Sequence, residues 1–258
     1  MLTRLMDSNW FPLIYLLVLT SMVVTGIVLS RRLRVGESED LKSNTLLSAI
    51  IGFFSLLLAF TLSSSSDSSK ARIRFMQQHR GAIASLFRQS YLFDDSLRGS
   101  VKDYAIKAIE LKLEALNNNS PQSIREQDRR SALFNKTYLR SMSALVKNNA
   151  QSHTGARTIT DEMSKIIDLD AMVHYSNQER TPAMVMMLLL IGSWTIGFLM
   201  GISGVLFRKR YYMGPIIFTS LTSLTVMIIQ DMDNPHTGFT KPPYETYDLT
   251  LQEIKSEK

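Results

Sequence analysis

Four apolar runs constrain what this chain can fold into more than any other feature of its sequence. The runs contain no Asp, Glu, Lys, Arg or His, and they cover residues 11–29, 45–62, 182–207 and 216–229. A helix of about 20 apolar residues crosses the hydrocarbon core of a bilayer. The first run lacks a small-x-small cleavage site and ends at a cluster of arginines at 31, 32 and 34, which favours a retained span over a signal peptide. The sequence therefore predicts four membrane spans.

The region between the second and third runs is polar and has the helical period of apolar residues without strand alternation. The predicted helices cover about 70–92, from Asp94 or Asp95 to about 116, 124–147, and a stretch that begins at a capping residue, Thr158, three residues before Asp161. The segment 63–69 (SSSSDSS) has neither proline nor glycine, so the second span can continue through it. In the tail, Leu249, Leu251 and Ile254 predict a short amphipathic helix.

The predicted fold is an all-α membrane protein in which two transmembrane hairpins flank an extramembrane helical bundle. The predicted divisions are residues 1–62 for the first hairpin, 63–181 for the helical domain, 182–230 for the second hairpin, and 231–258 for an acidic turn and the tail. Small residues recur three or four apart in the second span (Ser48, Gly52, Ser55, Ala59) and in the third (Ser193, Gly197, Gly201). Such stripes let a neighbouring helix approach closely.

The fourth span ends abruptly in a polar, acidic turn, TVMIIQDMDNPHTGF at 225–239. Its candidate functional residues are Asp231, Asp233, Asn234, Pro235 and Gly238. Carboxylate and amide oxygens are ligands of hard cations such as calcium, although this segment alone supplies too few for a complete site. A polar cap that ends the helix, with Pro235 as the stop, is the alternative, and a structural hinge is the favoured interpretation.

Two sets of residues in the spans are candidates for the lining of a pore, because pores can be lined by hydroxyls, aromatics and backbone. They are Phe53, Phe54 and Phe60 in the second span and Thr219, Thr222 and Ser223 in the fourth. Helix–helix packing is the favoured alternative for both sets. The absence of ionisable residues from the spans disfavours proton-coupled pumps and transporters.

Several function classes have no support in the sequence. There is no cysteine, so disulfides and cysteine-ligated zinc are excluded. No nucleophile motif or phosphate-binding loop occurs, and the four histidines are far apart, with His79 and His174 expected on helix surfaces. An enzyme is therefore not expected, and neither is a cofactor other than the candidate calcium ion. The net charge of +6 is attributed to residues that flank the spans and not to nucleic-acid binding.

Charge density predicts the orientation of the chain in the membrane. Four spans place both termini and the helical domain on one side, and the connections at 31–44 and 208–215 on the other. These two short connections hold seven Lys or Arg residues. By the positive-inside rule they face the cytoplasm, which places the helical domain outside a bacterial inner membrane.

The sequence resembles the bestrophin-like family of bacterial membrane proteins over about residues 5–255. The matching segments are LLLAFTLS at the end of the second span, RIRFMQQHRGAIASLFRQSY in the helical domain and MIIQDMDNPHTGF. The last segment carries the typical pattern of the family, here Asp231, Asp233, Pro235 and Gly238. The resemblance to true bestrophins, which are pentameric anion channels, is weaker. This sequence has His236-Thr237 before Gly238 and lacks their proline-phenylalanine motif in the second span.

The resemblance implies an integral membrane homo-oligomer that is an anion-permeable channel. It also implies a cytoplasmic helical domain, opposite to the orientation predicted from charge density. The alternative function is a non-conducting membrane scaffold or sensor whose helical domain binds a partner.

Overall fold

The computed structural model describes residues 10–33, 40–117, 121–148, 153–206, 213–234 and 244–257. These residues form helices and contain no strand. The helices are α1 (Phe11–Leu33), α2 (Asp40–Gln89), α3 (Asp95–Asn117), α4 (Pro121–Asn148), α5 (His153–Gln178), α6 (Ala183–Leu206), α7 (Met213–Asp233) and α8 (Glu245–Ser256). A short 3₁₀ turn, Ser90–Leu92, follows α2. The predicted all-α fold is confirmed, and four of the described helical segments are long and apolar enough to cross a membrane.

The helix boundaries follow the sequence pattern with two differences. The helix α2 runs unbroken through residues 63–69, as the lack of proline and glycine there predicts. The helix α4 begins at Pro121, earlier than predicted, because proline suits the first turn of a helix. The predicted start at Thr158 is wrong, since α5 begins at His153. Thr158 and Asp161 are exposed inside this helix, where polar side chains are tolerated.

The chain divides into two compact units. The first, called here the membrane unit, contains residues 1–69 and 180–240. The second, called here the helical unit, contains residues 70–179 and 241–258. The division follows spatial contacts, and it assigns the last part of the tail, including α8, to the helical unit.

In the membrane unit, the closest packing joins α1 and α6. A Cβ placed on Gly201 would lie 2.2 Å from the carbonyl oxygen of Val23, and one on Gly26 would lie 2.3 Å from that of Phe198. The hydroxyl of Ser30 donates a hydrogen bond across the same contact to the carbonyl oxygen of Ile202, at 3.1 Å. Backbones this close gain many dispersion contacts, which are the main attraction between helices in lipid.

The small-residue stripe of α2 has no such neighbour among the described residues. A Cβ placed on Gly52 would meet nothing within 4 Å, and Ser48, Ser55 and Ala59 are exposed. Small residues are thus used for close packing on α6, whereas the equivalent stripe of α2 stays open in one copy of the chain.

The helical unit has a continuous apolar core, and the predicted stripe of α5 is buried in it. The buried stripe residues are Ile159, Met163, Ile166 and Val173. The tail helix α8 packs against α3 and buries Leu251 and Ile254. These two positions agree with the predicted apolar face of the tail helix. Leu249, predicted to lie on the same face, is exposed instead.

A buried arginine closes one end of this unit. Arg72, only 2% exposed, donates through Nε to the carbonyl oxygen of Ser176 at 2.9 Å and through Nη2 to that of Glu179 at 3.3 Å. The last carbonyls of a helix lack intrahelical partners and carry partial negative charge. Arg72 therefore satisfies the C-terminal end of α5.

The α1–α6 contact gives a testable prediction. Gly201→Ala forces a methyl group against the backbone of α1, so we expect it to destabilise the protein by about 1–3 kcal/mol, as overpacking does. The measurement is the thermal unfolding midpoint in detergent. Gly214→Ala is the matched control, because its Cβ would make only an ordinary contact, 3.8 Å from the Cε atom of Met200. Equal midpoints for the two variants would contradict the assignment.

Candidate functional sites

The acidic turn contains a buried carboxylate that joins three segments of the membrane unit. Asp233 is the last residue of α7 and is 7% exposed. The hydroxyl of Ser65 on α2 lies 3.0 Å from its Oδ1, and the backbone N–H of Thr181, just before α6, donates to Oδ2 at 3.1 Å. Charge-assisted hydrogen bonds of this kind are stronger than neutral ones. Asp233 therefore holds the end of α7 against α2 and the start of α6.

The neighbouring residues of the turn complete the end of α7. The side-chain amide of Asn234 donates to the carbonyl oxygen of Gln230 at 3.1 Å, and its backbone N–H donates to that of Asp231 at 3.3 Å. These bonds satisfy carbonyls that a helix end leaves without partners. Pro235 and Gly238 lie outside the described residues.

The contacts of the acidic turn are relevant to the predicted calcium site. Within the described ranges, no group of three or more His, Asp or Glu residues could hold a metal ion. Both oxygens of the Asp233 carboxylate accept hydrogen bonds from protein groups. Calcium binding at this turn stays a prediction.

The predicted pore or packing residues divide between two environments. Phe54 is buried against Phe218, at 6.1 Å between ring centroids. Thr222 is also buried, and Ser223 has a buried hydroxyl without a hydrogen-bond partner, whereas Thr219 is half-buried. In contrast, Phe53 is 64% exposed and Phe60 is 76% exposed. Phe53 and Phe60 are seven residues apart and therefore share one face of α2.

The exposed face of α2 has two edges, separated by about 130° at 3.6 residues per turn. One edge contains the small residues Ser48, Gly52, Ser55 and Ala59, and the other contains Leu46, Phe53 and Phe60. We call them the small edge and the aromatic edge. Large aliphatic side chains dominate the exposed face of α7, for example Ile216, Leu221 and Leu224. That composition suits lipid tails, whereas the small edge suits a helix backbone.

The helical unit contains a buried polar network that the sequence analysis missed. At its centre is the Asp170 carboxylate, which forms an ion pair with Lys112. Ser131 donates to Oδ2 of Asp170 at 3.0 Å, and the Asn135 amide donates to the same atom at 3.3 Å. Burial raises the pKa of Asp170, but Lys112, together with His79 and the hydrogen bonds, lowers it below its ordinary value. The carboxylate is thus ionised and held by α3 and α4.

His79 is part of this network, so its predicted position on a helix surface is wrong. Its ring is 2% exposed, with Nδ1 2.9 Å from the Tyr247 hydroxyl and Nε2 4.0 Å from Oδ1 of Asp170. Burial, and then the charge of Lys112, lowers the pKa of His79 to about 4, against the influence of Asp170. His79 lies three residues after Met76 and four before Ile83, and this spacing was the available signal of an inward position. His174 is half-exposed and lies 2.8 Å from the Gln178 amide.

The Asp233 contacts predict a specific loss. Asp233→Ala removes the charged acceptor of the Thr181 N–H and of the Ser65 hydroxyl, so we expect about 1–3 kcal/mol of destabilisation from the loss of hydrogen bonds to a charged group, and lower membrane levels. Asp161→Ala is the control, because Asp161 is exposed on α5. Membrane yield and the thermal unfolding midpoint measure both variants. Wild-type yield and a wild-type unfolding midpoint for Asp233→Ala would show that the contacts of this carboxylate do not stabilise the protein.

Comparison with known proteins gives the same family as the resemblance seen in the sequence. The match to the model of the Bestrophin-like domain covers residues 12–241, whereas no curated protein sequence matches the chain. The fold is shared with a bacterial bestrophin homologue from Klebsiella pneumoniae, with a TM-score of 0.73, 11% identity, and coverage of 94% of this chain and 96% of the other.

Two single-substitution variants of the Klebsiella protein give the same result. One has a TM-score of 0.73 at 12% identity and covers 95% of this chain and 97% of its own. The other has a TM-score of 0.70 at 13% identity and covers 95% and 99%. At such low identity these structures show the fold, and the family model, which covers most of the chain, shows the family. The predicted resemblance is confirmed: the chain belongs to the Bestrophin-like family.

Proposed function

We propose that the protein is an oligomeric, anion-permeable channel in which copies of α2 surround the conducting path. The observation that carries this proposal is the exposed face of α2. Among the described residues of one copy, the small edge at Gly52 has open space beside it, and the aromatic edge exposes most of Phe53 and Phe60. In a ring of copies, each α2 packs its small edge on a neighbour and turns its aromatic edge towards the axis.

The chemistry of the two edges supports these separate roles. A glycine and small hydroxyl residues allow close backbone approach between helices in lipid. Aromatic side chains can line a pore, and the ring edge carries the positive end of the aromatic quadrupole. Rings presented edge-on to the axis therefore favour an anion over a cation. Asp67 is exposed on the same edge, seven residues beyond Phe60, and its carboxylate favours a cation. The ratio of chloride to sodium permeability is therefore the decisive measurement of selectivity.

Ion flux in liposomes that carry the purified protein tests this function. We expect chloride flux above that of empty liposomes, and we expect Phe60→Ala to increase it several-fold by removing an aromatic ring from the proposed lining of the path. Leu221→Ala, on the exposed aliphatic face of α7, is the control and should leave flux unchanged. Absence of flux for the wild-type protein at several calcium concentrations would contradict the proposal.

The second candidate is a non-conducting scaffold or sensor whose helical unit binds a partner. It is favoured by adjacent exposed side chains on α5, where Tyr175 is 68% exposed and Met172 is 46% exposed. Exposed aromatic and methionine side chains are enriched in protein interfaces. A monomer in detergent without flux would support this function over the channel.

The orientation of the helical unit is tested by labelling single cysteines, since the natural chain has none. The charge density of the short connections supports a position outside the cytoplasm. It therefore predicts that a membrane-impermeant thiol reagent labels Ser141→Cys in intact cells and leaves Ser38→Cys unlabelled. Ser141 is exposed on α4, and Ser38 lies in the first short connection. The opposite pattern would place the helical unit in the cytoplasm, as the resemblance to true bestrophins implies.

A further inference from the structure

Besides Leu251 and Ile254, the tail helix α8 buries a tyrosine in the helical unit. Tyr247 is 1% exposed, and its hydroxyl donates to the carbonyl oxygen of Met76 at 3.0 Å. A hydroxyl has one proton, so it must accept the hydrogen bond that joins it to Nδ1 of His79 at 2.9 Å. His79 therefore carries a proton on Nδ1, and because its pKa is lowered by burial, Nε2 has no proton at neutral pH.

The charged groups around His79 make a second proton on this ring unfavourable. Nε2 faces Asp170 on α5, but that carboxylate already pairs with Lys112 on α3 and accepts hydrogen bonds from α4. The other titratable groups are Tyr247 on α8, Tyr104 on α3, whose hydroxyl donates to Asn135, and Arg80, which donates to Thr250 on α8 at 3.1 Å. A protonated His79 would add a second buried cation beside a single carboxylate.

Departure of α8 would remove this penalty. Tyr247 covers the Nδ1 side of His79, so without α8 water could reach the ring and solvate its charged form. A proton then binds more tightly to the state without the docked tail, and by linkage acid favours that state. We propose that α8 is an acid-released segment, docked over neutral His79 at neutral pH and detached when Nε2 of His79 takes up a proton.

The sign and size of the effect follow from the two states of His79. With α8 docked its pKa is lowered to about 4, against an ordinary value of 6.5. A lowered histidine pKa stabilises the docked state above pH 6.5 and loses that stabilisation as the pH falls towards 4. If release of α8 restores the ordinary pKa, the docking equilibrium weakens by about 30-fold between pH 7.5 and pH 5.0. The helix α8 also has an ion pair, between Lys255 and Glu110. This pair persists at pH 5.0, because Lys255 lowers the pKa of Glu110 below 4.5.

Hydrogen–deuterium exchange of the full-length protein in detergent tests the proposal. The quantity is the protection factor of amides in residues 245–257, corrected for the intrinsic exchange rate at each pH. We expect it to fall about 30-fold from pH 7.5 to pH 5.0, while amides of 95–117 in α3 change less than about threefold. His79→Gln should give equal tail protection at both pH values, and His174→Gln should retain the wild-type fall.

A second variant keeps the test decisive if His79→Gln does not fold. Lys112→Met leaves Asp170 free to pair with a protonated His79, so the pH-dependent fall should shrink well below 30-fold. Three results would overturn the proposal: tail protection independent of pH in the wild type, parallel loss of protection in α3, or an unchanged fall in both His79→Gln and Lys112→Met.

Discussion

The backbone contact between α1 and α6 determines which surfaces of the membrane unit remain open. Helices in lipid gain little from apolar burial, so they associate where backbones can approach closely. Gly26 and Gly201 allow that approach, to the point that a single added methyl group would clash with backbone atoms. Because α6 is engaged with α1 on this side and contacts Phe54 of α2 at Gly192, α2 uses only part of its circumference within one copy. Its small and aromatic edges are left for other contacts.

A second constraint is that an unpaired buried polar group is costly, and each unit pairs several such groups by joining distant parts of the chain. Asp233 links the end of α7 to Ser65 and Thr181. In the helical unit, Arg72 satisfies the end of α5, and Asp170 gathers donors from α3 and α4. An unpaired buried polar group costs more than a hydrogen bond gains. These few residues therefore specify which helices pack together, while apolar contacts supply most of the stability.

Much of the fold could be predicted from the sequence because helices follow local periodicity. The four spans, the continuous α2 and the buried stripe of α5 all depend on residues within a few turns. The partner of each helix depends on distant residues, and sequence alone does not reveal it. The stripes that contain Gly52 and Gly201 look alike in sequence. Within the part of the chain that the structure describes, the stripe of Gly201 meets another helix and that of Gly52 does not. The predicted surface position of His79 is wrong for a related reason. Its buried position is stabilised by Asp170 and Tyr247, which are far away in the sequence.

In the proposed oligomer, the small edge and the aromatic edge of α2 meet other copies of the chain. Disulfide cross-linking in native membranes tests this arrangement most directly, because the natural protein has no cysteine. Phe53→Cys and Phe60→Cys should give covalent dimers on oxidation, since equivalent positions on the aromatic edge face one another across a common axis. Leu17→Cys, which is 69% exposed on α1, should stay monomeric. Efficient cross-linking at Leu17 with none at positions 53 and 60 would place α2 against lipid and contradict the account.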